Sequence, residues 1–268
     1  MQVTFHAGTL ARGKDDGSDF THAPLHATNS LPFEECSVTA RGMSDFPFDC
    51  VGFDLDGTLL DTSRDLGEAV NHALRFAGRP EMPIEGMANL IGGGAKRMLW
   101  RAFEAQGGIP QDEFDAIYAE LLAHYRANIA VHSRPYPGCL DALDVLAKRG
   151  VKLAVVTNKF EALARDLLGQ LDLTGRFACI LGGDTLGPGR SKPQPDPLLE
   201  AMAQTGSTRF AFVGDTTYDI DAARAANVRS IAVSFGFNDR FAQELGADAV
   251  IDHYDALVPT LERLGQAG

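Results

Sequence analysis

The chain reads as an α/β protein: a mainly parallel sheet with helices on both faces, interrupted by one all-helical insertion. Three observations carry this expectation. From Gly138 onward, short apolar strands alternate with amphipathic helices. Residues from about 64 to 134 carry helical spacing with almost no strand signal. An isolated apolar run, Val51-Gly52-Phe53, precedes that helical stretch. Strand–helix alternation builds parallel sheets through crossover helices, so the helical stretch is an insertion after the first strand.

The elements follow in order. The segment from His6 to Ser30 mixes Gly, Asp, Thr, His and Ser without apolar periodicity, and residues 1–45 are expected to be a disordered extension, with Met43 as a natural initiator. After the first strand, Leu66, Ala69, Val70, Ala73, Leu74 and Ala77 recur at three and four, and Gly78 with Pro80 ends that helix. Met98, Leu99, Ala102 and Phe103 predict a second helix, and Phe114, Ile117, Leu121, Leu122 and Tyr125 a third. Pro135-Tyr136-Pro137-Gly138 breaks the pattern. Helices are then expected at about 140–146, 160–168, 197–204, 220–226 and 256–264, with one more between residues 233 and 249. Strands are expected at 151–156, 178–181, 209–213, 230–233 and 249–251. The domain reading is 46–62 with 135–268 as the α/β core, and 63–134 as the helical unit.

A chain of 268 residues holds one large domain, or a core with a smaller inserted one. The net charge of −12 repels nucleic acid and anionic membrane, so neither is an expected partner. A phosphorylated substrate would also be repelled at long range, so a phosphate site here must bring its own cations. Cys36, Cys50, Cys139 and Cys179 form no Cys-x-x-Cys pair or zinc spacing and read as free thiols in a reducing compartment, which suggests a cytoplasmic protein. A monomer or homodimer is expected.

The most informative segment is the end of the first apolar run, Phe53-Asp54-Leu55-Asp56-Gly57-Thr58. In extended chain, Asp54 and Asp56 point the same way. Two like charges that close ask for a divalent metal, or for one nucleophile and one acid. In open parallel sheets, ligands bind beyond the carboxyl ends of strands, and other strands here end in matching groups. Val155-Val156 runs into Thr157-Asn158, and Phe210-Ala-Phe-Val213 into Gly214-Asp215-Thr216-Thr217-Tyr218-Asp219. Between them lies Ser191-Lys192-Pro193. Asp215 and Asp219 are also good caps for the following helix, and it is the four segments in this order that point to one site.

These segments, Phe53-Asp-Leu-Asp-Gly-Thr58, Val156-Thr-Asn158, Lys192-Pro193 and Gly214-Asp-Thr-x-x-Asp219, resemble the four motifs of the haloacid dehalogenase superfamily. The resemblance runs from about Asp45 to the end of the chain. Tyr136-Pro137-Gly138, Val155-Val-Thr-Asn-Lys159, Gly182-Gly-Asp184 and Asp219-Ile-Asp-Ala-Ala-Arg-Ala225 resemble its phosphoglycolate phosphatase-like group. The resemblance implies a Rossmann-like core with an all-helical cap, and Mg²⁺-dependent hydrolysis of a small phosphorylated metabolite through an aspartyl-phosphate. It implies Asp54 as nucleophile and Asp56 as acid and base. Metal ligands would be Asp54, Asp215 and the backbone carbonyl of Asp56, with Asp219 holding metal waters or Lys192. Thr157, the Asn158 amide and Lys192 would hold the phosphoryl oxygens.

Asp56 and Asp219 argue against a haloalkanoate dehalogenase, and Asp56 against a phosphonatase. A sugar phosphomutase, another sugar-phosphate phosphatase or a pyrophosphatase of the same superfamily shares the core motifs. A phospho-ligand binding module would be expected to lack a catalytic carboxylate, and none is missing. In the cap, Ile91-Gly92-Gly93-Gly94-Ala95-Lys96-Arg97 brings backbone amides and two cations to a helix start. Lys96 is the candidate for a substrate carboxylate, against a plain reading in which both cations are solvated.

Overall fold

A computed structural model of the chain describes residues 46–266, apart from 85, 86, 88, 89, 92 and 110. The expectations for residues 1–45, including Met43 and Cys36, and for Gly92 lie outside the described residues.

The sheet is built from β1 (Cys50–Phe53), β4 (Lys152–Val156), β5 (Cys179–Leu181), β6 (Phe210–Gly214), β7 (Arg229–Val233) and β8 (Ala249–Ile251), in the order β5-β4-β1-β6-β7-β8. Every pairing is parallel. β1 is central, and its burial on both faces explains why its residues are apolar or small without alternation. Gly52 has a local reason: a Cβ there would lie 2.5 Å from the Phe210 ring of the neighbouring strand. Helices α4 (Cys139–Lys148), α5 (Glu161–Gln170), α6 (Asp196–Thr205), α7 (Thr217–Ala225) and α8 (Leu257–Gln266) make the crossovers and the chain end. The hydrophobic core falls into clusters on the two sides of the sheet. One holds Val51, Phe53, Val155 and Val213, and the other Cys50, Ala154, Phe210 and Phe212. Successive residues of a strand supply opposite faces. Cys50, Cys139 and Cys179 are buried free thiols, as expected.

The insertion is all-helical: α1 (Ser63–Phe76), α2 (Ala95–Glu104) and α3 (Gln111–Ala127). Its flanks form a feature that the sequence pattern does not predict. Two-residue strands β2 (Leu60–Asp61) and β3 (Arg134–Pro135) pair antiparallel, Leu60 with Pro135 and Asp61 with Arg134. Pro135 is tolerated because so short a ribbon asks for few ladder bonds. The buried Asp65 of α1 fastens this junction. Its Oδ2 accepts from the Ser133 hydroxyl at 2.7 Å and the Ser133 N–H at 2.8 Å, and the His132 N–H donates to the same carboxylate at 3.0 Å.

One expected helix is absent. Between β7 and β8 there is only a 3-10 turn, Ala242–Glu244. The preceding residues are committed to Asp215 instead: Phe237 N–H donates to its Oδ2 at 2.7 Å and the Asn238 side chain to its carbonyl at 2.7 Å. A backbone that must reach an acidic side chain on another strand cannot also keep helical hydrogen bonds. No helix among the described residues is long and apolar enough to cross a membrane.

Asp65→Asn is expected to replace an acceptor oxygen by an amide and so leave a buried Ser133 donor unmatched. A loss of about 1–3 kcal/mol in unfolding free energy, read by denaturant titration, is the expected outcome, and an unchanged midpoint would remove Asp65 as the fastener.

Candidate active site

Parallel register brings the predicted strand ends side by side. Phe53 pairs with Val155 on one flank and with Val213 on the other. Asp54, Thr157 and Asp215 therefore leave adjacent strands at one edge of the sheet. The Asp54 N–H still bonds Val213 O at 2.9 Å, and the Thr157 N–H bonds Leu181 O at 2.9 Å. A cavity of about 420 Å³ opens at this edge, and Asp54, Asp56, Thr157, Asn158, Lys192 and Asp215 all line it. From the insertion, Lys96, Tyr118 and Tyr125 line the same cavity.

Asp54, Asp215 and Asp219 are buried, with one oxygen of each within 4.8 Å of the others. One ammonium faces them. Lys192 Nζ donates to Asp54 Oδ1 at 2.7 Å and to Asp219 Oδ1 at 2.6 Å. Burial pushes the Asp54 carboxyl up to about 6; Lys192 pulls it down, and Asp219 pushes it up again. Burial, with Asp219 and Asp54 beside it, raises Asp215 well above the ordinary carboxylate range. Asp215 has donors of its own, from the Thr58 hydroxyl at 2.9 Å and the Phe237 N–H at 2.7 Å. Asp219 turns Oδ2 to the start of α7, accepting from the Thr216 hydroxyl at 2.6 Å and the Thr216 N–H at 2.9 Å. It thus both caps the helix and holds Lys192.

When all three carboxylates are ionised, the ammonium offsets one charge and leaves two in excess. Hard oxygen donors with that excess fit a divalent cation. Two glycines permit the close approach. Gly57 has φ +86°, in the left-handed region that glycine adopts freely. A Cβ on Gly57 or on Gly236 would run into the Asp215 carboxylate.

Asp56 is not a member of that acidic group. The extended spacing expected for Asp54 and Asp56 is not kept, because the chain turns after Asp54. The Asp56 carboxylate is instead gripped by Lys159, whose Nζ lies 2.8 Å from Oδ1 and 2.7 Å from Oδ2, while the Thr62 hydroxyl donates to Oδ1 at 2.8 Å. The two aspartates face one cavity but meet different lysines: Asp54 shares Lys192 with Asp219, and Asp56 has Lys159. Lys159 is a residue that the strand-end argument left without a role, although it ends the Thr157-Asn158-Lys159 segment. A second cation beyond an active strand end was the available signal, but its partner is 103 residues away.

The remaining predicted residues fall as follows. Thr157 is buried, and its hydroxyl accepts from the Lys159 N–H at 3.2 Å. The Asn158 side-chain amide donates to the Lys192 carbonyl at 3.0 Å, and its Oδ1 is buried without a hydrogen-bond partner among the described residues. Lys96 lies in the first turn of α2, exposed, with Nζ 5.4 Å from the Tyr118 ring centroid. Arg97 bonds the Tyr218 hydroxyl of α7 and so links insertion and core.

An acidic cluster threaded by a lysine, at the carboxyl edge of a parallel sheet beneath a helical insertion, defines a class of hydrolytic and transfer sites built for anionic groups. Residues 51–233 match the Haloacid dehalogenase-like hydrolase family, and the chain belongs to it. It is 43% identical over 220 residues to a phosphoglycolate phosphatase of Agrobacterium fabrum, covering 81% of this chain and 94% of that protein. It is 41% identical over 219 residues to a phosphoglycolate phosphatase of Mesorhizobium japonicum, covering 80% and 96%. Among solved structures, a predicted phosphoglycolate phosphatase of Haemophilus somnus superposes with a TM-score of 0.74 at 28% identity, covering 80% of this chain and 98% of that one.

The raised Asp54 carboxyl sets a pH dependence. Between about 4 and 6 Asp54 holds its proton more firmly in the folded protein than in the unfolded chain, so without a cation its contribution to stability falls as pH rises through that window. A divalent cation competes with those protons. Added Mg²⁺ is expected to raise the melting temperature clearly at about pH 8 and little at about pH 5. Equal shifts at both pH values would place cation binding elsewhere.

Proposed function

We propose that this chain is a Mg²⁺-dependent phosphomonoesterase whose preferred substrate is 2-phosphoglycolate, cleaved to glycolate and phosphate. The single observation that carries the chemistry is the Asp54–Lys192–Asp219 cluster beside Asp215: a buried carboxylate poised for attack, with a cation and acidic metal ligands around it. The substrate is supported by relatives covered over nearly their whole length that carry that name.

Asp54 is the nucleophile. It attacks phosphorus in line, and the ester bond to the leaving oxygen breaks as the aspartyl-phosphate forms. Asp56, on the same cavity, gives a proton to the leaving alkoxide and then takes one from the water that hydrolyses the acyl phosphate. Lys192, the Thr157 hydroxyl and the backbone N–H of Asn158 hold the phosphoryl oxygens. Mg²⁺ would be held by Asp54, Asp215 and the Asp56 carbonyl, with Asp219 beside it, and would offset charge on the transferring group. Lys96, on the cap wall, draws the substrate carboxylate. The same proposal divides the chain into a core of 46–62 with 135–268, a cap of 63–134, and residues 1–45 outside the catalytic unit. The family match to 51–233 supports that last division. A reducing, cytoplasmic setting is part of this reading and rests on the three buried thiols.

Asp54→Asn keeps the size and removes the charge. Turnover of 2-phosphoglycolate is expected to fall below about a thousandth of the native rate, and EDTA is expected to abolish the native activity. Near-native hydrolysis by the variant, or indifference to EDTA, would overturn the mechanism. Phosphoryl transfer to a sugar phosphate without phosphate release would instead identify a mutase.

Lys96→Ala is expected to raise KM for 2-phosphoglycolate by about tenfold, equivalent to ~1.4 kcal/mol, and to leave KM for p-nitrophenyl phosphate nearly unchanged. A matched change for both substrates would take Lys96 out of recognition.

A further inference from the structure

Four cations line the cavity, each in a different setting. Lys192 is committed to Asp54 and Asp219. Arg97 is bonded to Tyr218. Lys96 is exposed over the Tyr118 ring. Lys159 differs. Its side chain is only 5% exposed, its ammonium grips both oxygens of Asp56, and it sits 4.7 Å from the centroid of the Tyr125 ring.

Tyr125 comes from α3 of the cap; its buried hydroxyl interacts with Lys159, whose ammonium can only donate, and finds no acceptor for its own proton among the described residues. A buried donor left unmatched costs about 1–3 kcal/mol, and in a cavity wall it marks where a ligand's acceptor belongs.

Position supplies the rest. Asp56, as the group that protonates the leaving oxygen, stands on the leaving-group side of phosphorus. A cation held on Asp56 is therefore beside whatever the leaving group carries. In 2-phosphoglycolate the carboxylate carbon is two bonds from the ester oxygen, within the reach of a long lysine side chain. We propose that Lys159 and the Tyr125 hydroxyl form the receptor for a second anionic group on the substrate, with Lys159 exchanging one carboxylate, that of Asp56, for another. The exchange keeps the number of ion pairs constant, and Asp56 retains the Thr62 hydroxyl. A substrate with an apolar leaving group offers no such exchange and gains nothing from Lys159. Lys96, nearer solvent, attracts the same group without enclosing it. This rests on the assignment of Asp54 and Asp56 made above.

The test uses two non-hydrolysable phosphonates that differ only at the far end. 3-Phosphonopropionate replaces the ester oxygen of phosphoglycolate by a methylene, and propylphosphonate carries a methyl group in place of the carboxylate. Calorimetric titration of the full chain with Mg²⁺ present is expected to show tighter binding of 3-phosphonopropionate. Lys159→Gln is expected to weaken that ligand about tenfold or more while propylphosphonate stays within about threefold. Lys159→Arg keeps the charge and is expected to keep the preference. Tyr125→Phe, which preserves the ring, is expected to reduce it two- to fivefold, and it decides the matter where Lys159→Gln does not fold. Equal weakening of both ligands by Lys159→Gln, or a preference left at its native size in Lys159→Gln or in Tyr125→Phe, would overturn the inference. A native enzyme that binds 3-phosphonopropionate through Lys159 yet does not favour 2-phosphoglycolate in turnover would leave the receptor standing and overturn only the choice of substrate.

Discussion

The site depends on one buried ion triad, in which Lys192 bridges Asp54 and Asp219. Burying an ionised carboxylate is costly unless it is paired and hydrogen-bonded, and here three carboxylates lie within 4.8 Å. Lys192 makes the arrangement tolerable without making it neutral. Much else in the fold serves to satisfy the remaining oxygens. Thr58 and the Phe237 N–H supply Asp215, and the first turn of α7 supplies Asp219. Gly57 and Gly236 are where the backbone must come against a carboxylate with no room for a side chain.

The two aspartates after β1 illustrate how one short segment serves two electrostatic environments. Asp54 lies deep in the acidic cluster and is bonded to a lysine that it shares. Asp56 is bonded to a lysine of its own and to Thr62, on the side of the cavity that meets the cap. A turn placed directly after a buried strand achieves this separation, since an unbroken strand would have carried both side chains into the same charge field. Such a difference in surroundings is what two chemically identical groups need if, as proposed, they take different parts in one reaction.

Much of this was legible in the residues because it is local. Apolar periodicity located α1, α2 and α3, and apolar runs located the central strands with boundaries shifted by one or two residues. Parallel alternation then placed Asp54, Thr157 and Asp215 at one edge. What was not legible is contact across long stretches of chain. The grip of Lys159 on Asp56 spans 103 residues, and the burial of Tyr125 above it depends on how α3 meets the core. The helix expected between β7 and β8 failed for the same reason: residues with acceptable helical spacing are used as donors to Asp215 on another strand. The β2–β3 ribbon is too short to leave any period at all.

That ribbon has a consequence for how such proteins diversify. The chain leaves the sheet at Leu60–Asp61 and returns at Arg134–Pro135, one hydrogen-bonded spacing away, or about 5 Å. Seen from the sheet, the whole cap is a hairpin loop that happens to contain three helices. Its departure and return points are fixed whatever lies between them, so no strand register or crossover depends on its length or content. Changes between those two points therefore leave undisturbed the sheet that carries Asp54, Thr157 and Asp215, while the Lys159–Tyr125 contact spans both stretches of chain.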